Sequence, residues 1–175
     1  KERKESSRVS AVYDAAPRQS FVAALKDVPE VWEVSYNPKA DDIPAGMIHD
    51  FKYKEGSFIP GFLNPRRTFL AEPLGEPDLA RNLETFFTQD YAELMGSSRE
   101  AGKGQVVHLD VRKKIADLKL PGMPHLGSGI TWNYAPPGDA ERKVMATPNL
   151  KEGLVTVIDM KDWSTLKTIP TLGPG

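Results

Sequence analysis

The sequence predicts an all-β fold, and two observations lead to this expectation. The first is alternation: short runs such as GQVVHLDV (104–111) and GLVTVIDM (153–160) are β-branched, alternate between two faces and open with a glycine, as strands do after a turn. The second is the frequency of helix-breaking residues, because 15 prolines and 14 glycines leave little uninterrupted helical periodicity. Together they favour many short strands over helices.

A repeat organises these strands. The segments GQVVHLDVRKKIADLKLPG (104–122) and GLVTVIDMKDWSTLKTIPTLG (153–173) share one plan: a strand, an Asp, a short charged turn, a second alternating strand, then Pro and Gly. Asp110 and Asp159 are 49 residues apart (159 − 110), and an earlier copy begins at FVAALKDVPEVWEVSYNP (21–38). A period of about 40–50 residues is typical of β-propeller blades, which bury their faces against one another. A closed ring takes four or more blades, so three copies predict a partial β-propeller, a fragment of a longer one.

Residues 38–100, between the first two copies, show no clear repeat and include a short helix expected around 79–96. Loops of this length inside a compact domain are usually functional or disordered. The many aromatic residues in this interval argue against disorder. We therefore expect one propeller domain over residues 1–175 that carries an ordered loop insertion at about 38–100.

Composition excludes several classes of function. The chain has 23 basic and 24 acidic side chains, which gives no electrostatic reason to expect nucleic acid or an anionic membrane as a partner. Its apolar runs are too short for a membrane-spanning helix, and its first ten residues lack the apolar core of a signal peptide. The absence of cysteine excludes disulfides, thiolate catalysis, cysteine zinc sites and a C-x-x-C-H haem attachment in this chain. Three histidines make a multi-histidine metal site hard to build, so no metal site is predicted.

Two histidines are the strongest candidates for chemistry. His49 in GMIHDF and His125 in GMPHLGSG each lie three residues after a glycine, at a connection that follows a strand pair. Loops that leave equivalent strands of a propeller converge on one face, where two imidazoles could donate hydrogen bonds or protons to a bound ligand. Gly127 and Gly129 would let the backbone approach a flat ligand closely. The alternative that these residues leave open is that each histidine caps a turn.

Other polar residues carry weaker signals. Arg66 and Arg67 in NPRR could clamp carboxylates, since a guanidinium forms bidentate pairs with them, although a charged pair on a loop is more often solvated. His108 lies within a predicted strand, and we expect it to be a solvent-facing or inter-blade residue. Asp50 could orient the neighbouring imidazole or satisfy turn amides.

Longer stretches resemble a known family. The segments PEVWEVSYNP, GMIHDF, GFLNPRRT, GKGQVVHLDVRKKIADL, GMPHLGSGITW, VMATPNLKEG and VTVIDMKDW are similar to the haem d1 propeller family. This family contains the cytochrome cd1 nitrite reductases and their NirF- and NirN-type relatives in haem d1 biosynthesis. The resemblance runs from about residue 20 to the end of the chain. It implies an eight-bladed propeller that holds haem d1 over its central axis, with about three blades in this chain and the axial iron ligand outside it.

The resemblance also implies roles for individual residues. The reductase holds two distal histidines that bind and protonate nitrite, one in an LHDG-like and one in a PHPGRG-like motif, and the matching positions are His49 in IHD and His125 in PHLGSG. Here GSG (127–129) stands in place of GRG, and the segment between the histidines is longer, which is more like the biosynthesis proteins. The residues predicted to face the cofactor are His49 and His125 as catalytic acid/base or positioning groups, Arg66 and Arg67 as candidates for the carboxylate side chains of the macrocycle, and Gly127 and Gly129, which would give room for the ring.

The expected function is that of a periplasmic haem d1-binding propeller protein in haem d1 maturation for dissimilatory nitrite reduction. It would be of the oxidoreductase family, with a tetrapyrrole ligand and other proteins of haem d1 maturation or nitrite reductase as partners. One alternative is a part of the cytochrome cd1 nitrite reductase, whose c-type haem would need a C-x-x-C-H motif outside this chain. A further alternative, from another class, is a cofactor-free propeller scaffold that binds a protein.

Overall fold

The computed structural model describes residues 6–74, 83–98 and 102–175. Within these ranges the chain forms three antiparallel sheets of four strands each and a separate two-stranded hairpin. Each four-stranded sheet is one propeller blade, so the prediction of an all-β, partial β-propeller is confirmed. None of the helical turns in these ranges is long and apolar enough to span a membrane.

Blade 1 is interrupted by the hairpin. Its strand order is β1-β2-β3-β6, and strands β4 and β5 pair only with each other, between β3 and β6 in the chain. The bounds are β1 (Val9–Ala15), β2 (Ser20–Leu25), β3 (Glu30–Ser35), β4 (Ile43–Asp50), β5 (Glu55–Ile59) and β6 (Pro65–Phe69). Blade 1 is therefore completed by a strand that returns after 29 intervening residues (36–64).

Blades 2 and 3 are uninterrupted meanders, in which consecutive strands pair as β7-β8-β9-β10 and β11-β12-β13-β14. Blade 2 contains β7 (Leu83–Phe87), β8 (Glu93–Ser98), β9 (Lys103–His108) and β10 (Lys113–Lys119). Blade 3 contains β11 (Ile130–Tyr134), β12 (Arg142–Pro148), β13 (Leu154–Asp159) and β14 (Thr165–Pro170). The two best copies of the sequence repeat are the third and fourth strands of these blades.

The structure corrects two expectations about the order of the strands. The first copy, at 21–38, supplies the second and third strands of blade 1, so it is displaced by one strand relative to the other two copies. The helix expected around 79–96 is wrong over the described part, because β7 and β8 occupy it, while residues 79–82 lie outside the described residues. The interval 38–100 thus carries strands of two blades, and in its described part the β4–β5 hairpin is the one strand pair outside the four-stranded sheets.

The connections between strands define two ends of the blades. The upper face carries the connections at 26–29, 70–74, 120–129 and 149–153, and the lower face carries those at 16–19, 36–64, 88–92, 109–112, 135–141 and 160–164. Contacts between blades confirm that these ends are shared: on the lower face, Arg18 of blade 1 bonds Asp110 of blade 2, 2.6 Å away. Lys143, at the lower end of blade 3, faces Asp90 of blade 2 at 3.8 Å.

The first strands of the blades lie closest together. The ring of Tyr13 in β1 packs edge-on against Phe87 in β7, with centroids 6.4 Å apart. Gln89, just after β7, donates from Nε2 to the carbonyl oxygen of Thr131 in β11 at 3.1 Å. The fourth strands β10 and β14 instead expose most of their side chains. Because propeller blades fan out around a common axis, β1, β7 and β11 are the inner strands.

Apolar side chains fill the spaces between blades. Leu94 and Met95 are neighbours on β8 and face opposite sides of blade 2, and both are fully buried. Leu94 joins the cluster between blades 1 and 2 with Val31, whereas Met95 joins the cluster between blades 2 and 3 with Met145. A central blade that is buried on both faces in this way holds the connections at its two ends in fixed positions.

Candidate functional site

His125 lies on the upper face between blades 2 and 3. It immediately precedes a 3₁₀ turn, Leu126–Ser128, in the connection from β10 to β11. Leu126 is fully buried in the cluster between these two blades. The turn packs against β7, β8 and β12, which places His125 at the upper end of an inner strand rather than at the outer rim.

Glu84 and Ser128 contact the imidazole of His125, and Pro148 contacts its backbone. Its Nε2 lies 3.2 Å from Oε1 of Glu84 in β7, and Ser128 Oγ lies 3.2 Å from Nδ1 and 3.5 Å from Nε2. The backbone N–H of His125 donates to the carbonyl oxygen of Pro148 at 3.0 Å. The side chain of His125 is 25% exposed and that of Glu84 is 13% exposed. Blade 2 therefore orients the ring through Glu84, blade 3 fixes the backbone of His125 through Pro148, and the ring still reaches the surface.

The two glycines that follow His125 in this connection have different roles. The N–H of Gly127 donates to Oε2 of Glu84 at 3.1 Å, and Gly127 is exposed on the upper face. A side chain at Gly129 would come within 2.6 Å of Met145 Cε and 2.9 Å of the Leu126 carbonyl oxygen. Packing against this chain's own atoms thus explains the glycine at 129, whereas Gly127 is the one that faces outward.

His49 lies elsewhere. It is exposed on β4, in the hairpin that leaves the lower face of blade 1, near the exposed Phe51 and Tyr53 at the tip. No hydrogen bond or ion pair between His49 and His125 is found in the described part of the chain. The predicted convergence of the two loops on one face is therefore not what the structure shows, because His49 follows the third strand of a blade and His125 follows the fourth.

Arg66 and Arg67 lie on β6, the outer strand of blade 1. The guanidinium of Arg67 donates from Nε and Nη2 to the two carboxylate oxygens of the buried Glu30, both at 2.8 Å. It also stacks over the ring of Phe69, 4.8 Å from the centroid. Arg67 thus has a structural partner already, and the structure does not bring either arginine to His125.

Arg66 instead lines a polar cleft of about 450 Å³ on the lower face, between blades 1 and 2. The cleft also contains Arg18, whose guanidinium donates to Glu33 at 2.7 Å and to Asp110 at 2.6 Å. This cleft and His125 are at opposite ends of the blades. The described ranges contain no group of three His, Cys, Asp or Glu side chains that could hold a metal ion.

Glu84 is the site residue that sequence reasoning missed. It lies 41 residues before His125 (125 − 84), in a segment that was expected to be helical. In the strand that forms there instead, Leu83 and Thr85 are buried and Glu84 points to the other side. The alternation of Leu83, Glu84 and Thr85 is the signal that could have located a strand, but it does not indicate the partner of the carboxylate.

Comparison with known proteins identifies the family to which this chain belongs. Residues 1–175 match the family model described as Cytochrome D1 heme domain, so the chain belongs to this family and the predicted resemblance is confirmed. The dihydro-heme d1 dehydrogenase of Pseudomonas aeruginosa is 42% identical over 171 residues, which are 98% of this chain and 28% of that protein.

A solved structure agrees with this assignment. The structure described as dihydro-heme d1 dehydrogenase NirN in complex with DHE superposes with a TM-score of 0.69 at 41% identity, over 98% of this chain and 29% of that one. Hydrazine synthase of Kuenenia stuttgartiensis has a TM-score of 0.47 at 14% identity, over 91% of this chain and 35% of its own. The chain therefore spans less than a third of the length of the dehydrogenase relatives.

Proposed function

We propose that the full-length protein carrying this chain binds a d1-type haem at the upper face and acts as a dihydro-haem d1 dehydrogenase in haem d1 maturation. The observation that carries this proposal is the position of His125, held by Glu84 at the upper end of an inner strand in a Cytochrome D1 heme domain. The relatives with 41–42% identity are named for this dehydrogenase activity. We further propose a periplasmic location and contacts with other proteins of haem d1 maturation or nitrite reductase.

The groups at the upper face fit such a ligand. A tetrapyrrole with polar substituents needs hydrogen-bond donors and acceptors at its edge, and His125 and Ser128 present such groups at one surface. The bound tetrapyrrole supplies the redox-active ring and iron, while this chain orients it and holds protons. No residue of this chain is assigned to the iron.

Two features favour dehydrogenation over nitrite reduction. The motif PHLGSG contains serine where the reductase motif has arginine, so one cationic group for an anionic substrate is missing. The hydroxyl that replaces it, that of Ser128, contacts the His125 ring and remains exposed. The site therefore has a neutral hydrogen-bonding hydroxyl beside the imidazole in place of a cation.

The test is a titration of the full-length protein with haem d1, followed by absorbance in the Soret region. We expect His125→Ala to weaken binding about tenfold or more, as the loss of one hydrogen bond to a bound group does. His49→Ala is the matched control, because it removes an imidazole from the lower face and should leave the dissociation constant within about twofold.

Other results would contradict this arrangement. Binding that survives His125→Ala and is lost in His49→Ala would place the ligand on the lower face. If haem d1 causes no spectral change in the unsubstituted protein, the cofactor-free scaffold becomes the better explanation. Conversion of the dihydro form to haem d1, followed by the absorbance of the product, then separates the dehydrogenase from a nitrite reductase.

A further inference from the structure

Glu84 connects two parts of the His125 loop at once. Its Oε1 faces His125 Nε2 at 3.2 Å, and its Oε2 accepts the Gly127 N–H at 3.1 Å. The carboxylate belongs to β7, whose neighbours Leu83 and Thr85 are buried. A rigid strand therefore fixes both the imidazole and the turn that follows it.

In the neutral form of His125, this contact favours one ring nitrogen for the proton. A neutral imidazole has one N–H, and an ionised carboxylate can only accept a hydrogen bond. The proton must then lie on Nε2, towards Glu84, which leaves Nδ1 as an acceptor. Ser128 Oγ lies closer to Nδ1 than to Nε2, at 3.2 Å against 3.5 Å, and its hydroxyl can donate to the Nδ1 lone pair.

We propose that Glu84 is a positioning residue that makes His125 a proton acceptor at Nδ1, the side shared with the exposed Ser128. The proposal rests on the proposed function and specifies the direction of proton transfer in it. A bond from hydrogen to carbon or nitrogen of the tetrapyrrole would break, its electron pair would stay on the tetrapyrrole, and a bond from hydrogen to Nδ1 would form. This proton transfer changes no oxidation state, and the two electrons of the dehydrogenation leave in a separate step to an electron acceptor outside this chain. The resulting imidazolium keeps its Nε2–H bond to Glu84. Ser128 occupies Nδ1 until the ligand replaces it.

This arrangement has a chemical consequence for the reaction class. An imidazole whose single proton is already donated to a carboxylate cannot also donate it to a ligand oxygen. In its neutral form the ring is therefore suited to removing a proton, as one part of a dehydrogenation.

The first test measures the tautomer of His125 in the ligand-free, full-length protein by ¹⁵N NMR. The unsubstituted protein should show protonated Nε2. In Glu84→Gln the single amide oxygen can satisfy the Gly127 N–H, which turns the amide NH₂ towards Nε2 and requires the proton on Nδ1. We expect the tautomer to change in this variant and to stay unchanged in Ser128→Ala.

A matched control exists in the same blade. Glu93 lies 3.9 Å from Nε2 of His108 and accepts a hydrogen bond from Thr88 at 2.8 Å, but it is at the lower end of blade 2. Glu93→Gln also replaces one carboxylate by an amide beside a histidine. It should leave the His125 signals and haem d1 binding unchanged, which separates the effect of Glu84 from a general effect on the blade.

The second test compares binding with turnover. Glu84→Gln should keep the dissociation constant for haem d1 within about threefold and lower kcat at least a hundredfold, as the loss of a general base does. An unchanged tautomer together with unchanged kcat would overturn the proposal. If no variant binds haem d1, the proposed function fails, but the NMR result still decides the role of Glu84.

Discussion

Single side chains join the blades at their lower face, and Arg18 is the clearest case. Its guanidinium donates to Glu33 within blade 1 and to Asp110 of blade 2, and Ser20 Oγ donates to Glu33 at 2.8 Å. Burial alone would lower the pKa of Arg18, but its bonds to the two carboxylates raise the pKa above the ordinary value, so it stays charged. The same hydrogen bond from Arg18 lowers the pKa of Asp110 below its usual range.

We expect Arg18→Met to lower the free energy of unfolding by about 3 kcal/mol, because it leaves the carboxylate of Glu33, which is only 11% exposed, without its cation. Asp110→Asn removes the other partner, whose side chain is 60% exposed, and should cost less than about 1 kcal/mol. Urea unfolding of the full-length protein at neutral pH measures both. Equal losses in the two variants would show that the buried pair is not the source of the stability.

The site residues differ in whether the sequence can predict them. His125 could be found because it lies in a local motif, PHLGSG, whose residue types and spacing carry the signal. Glu84 could not, because its role depends on a contact across 41 residues that exists only when the two segments meet (125 − 84). The pairing of His49 with His125 assumed that both loops follow equivalent strands, and the interrupted connection of blade 1 breaks that equivalence.

At the scale of elements, the turns between third and fourth strands explain the repeat. In blade 2 the N–H of Arg112 donates to the His108 carbonyl oxygen at 2.8 Å, and in blade 3 the N–H of Trp163 donates to that of Asp159 at 2.8 Å. Arg112 and Trp163 are both left-handed, with φ of 55° and 62°. The same five-residue turn therefore closes both hairpins, which is why the two segments share a plan in sequence.

A left-handed residue with a Cβ costs about 1–2 kcal/mol, whereas glycine loses about 0.5–1 kcal/mol through its greater freedom in the unfolded chain. We therefore expect Arg112→Gly to be more stable than Arg112→Ala by about 1 kcal/mol in urea unfolding. The alanine variant is the matched control, since both substitutions remove the same guanidinium. If the Arg112→Ala variant is as stable as the Arg112→Gly variant, the turn has relaxed to a negative φ at this position.

The segment around 79–96 shows why a helix was predicted where the structure has strands. Short apolar runs do not distinguish a buried strand from a helix by periodicity alone. In the structure Leu94 and Met95, adjacent on β8, are both fully buried because blade 2 is covered on both faces. That pattern lacks the alternation of a half-exposed strand, and only the stacking of blades explains it.

At the scale of the whole molecule, blades 1 and 3 each have a face that no other blade covers within the described residues. On blade 3 a groove of about 440 Å³ is lined by Trp132, Tyr134, Leu166 and Ile169, over a small apolar cluster. Ile169 is 41% exposed and Leu166 is 39% exposed. The dehydrogenase relatives are more than three times the length of the part that this chain matches. We therefore expect the groove to be covered by a further blade in the full-length protein.

If a further blade covers this groove, Ile169→Lys should have different effects in the isolated chain and in the full-length protein. In the isolated 175-residue polypeptide, Ile169→Lys places a charge on an open apolar face and should reduce self-association, measured by light scattering at matched concentration. In the full-length protein the same lysine would be buried without a partner and should lower the free energy of unfolding by at least about 2 kcal/mol. Val111→Lys is the control, because Val111 is 56% exposed on a lower-face turn and should change neither property. If Ile169→Lys leaves the full-length protein as stable as before, no further blade covers this face, and the β11–β14 sheet is the end of the stack.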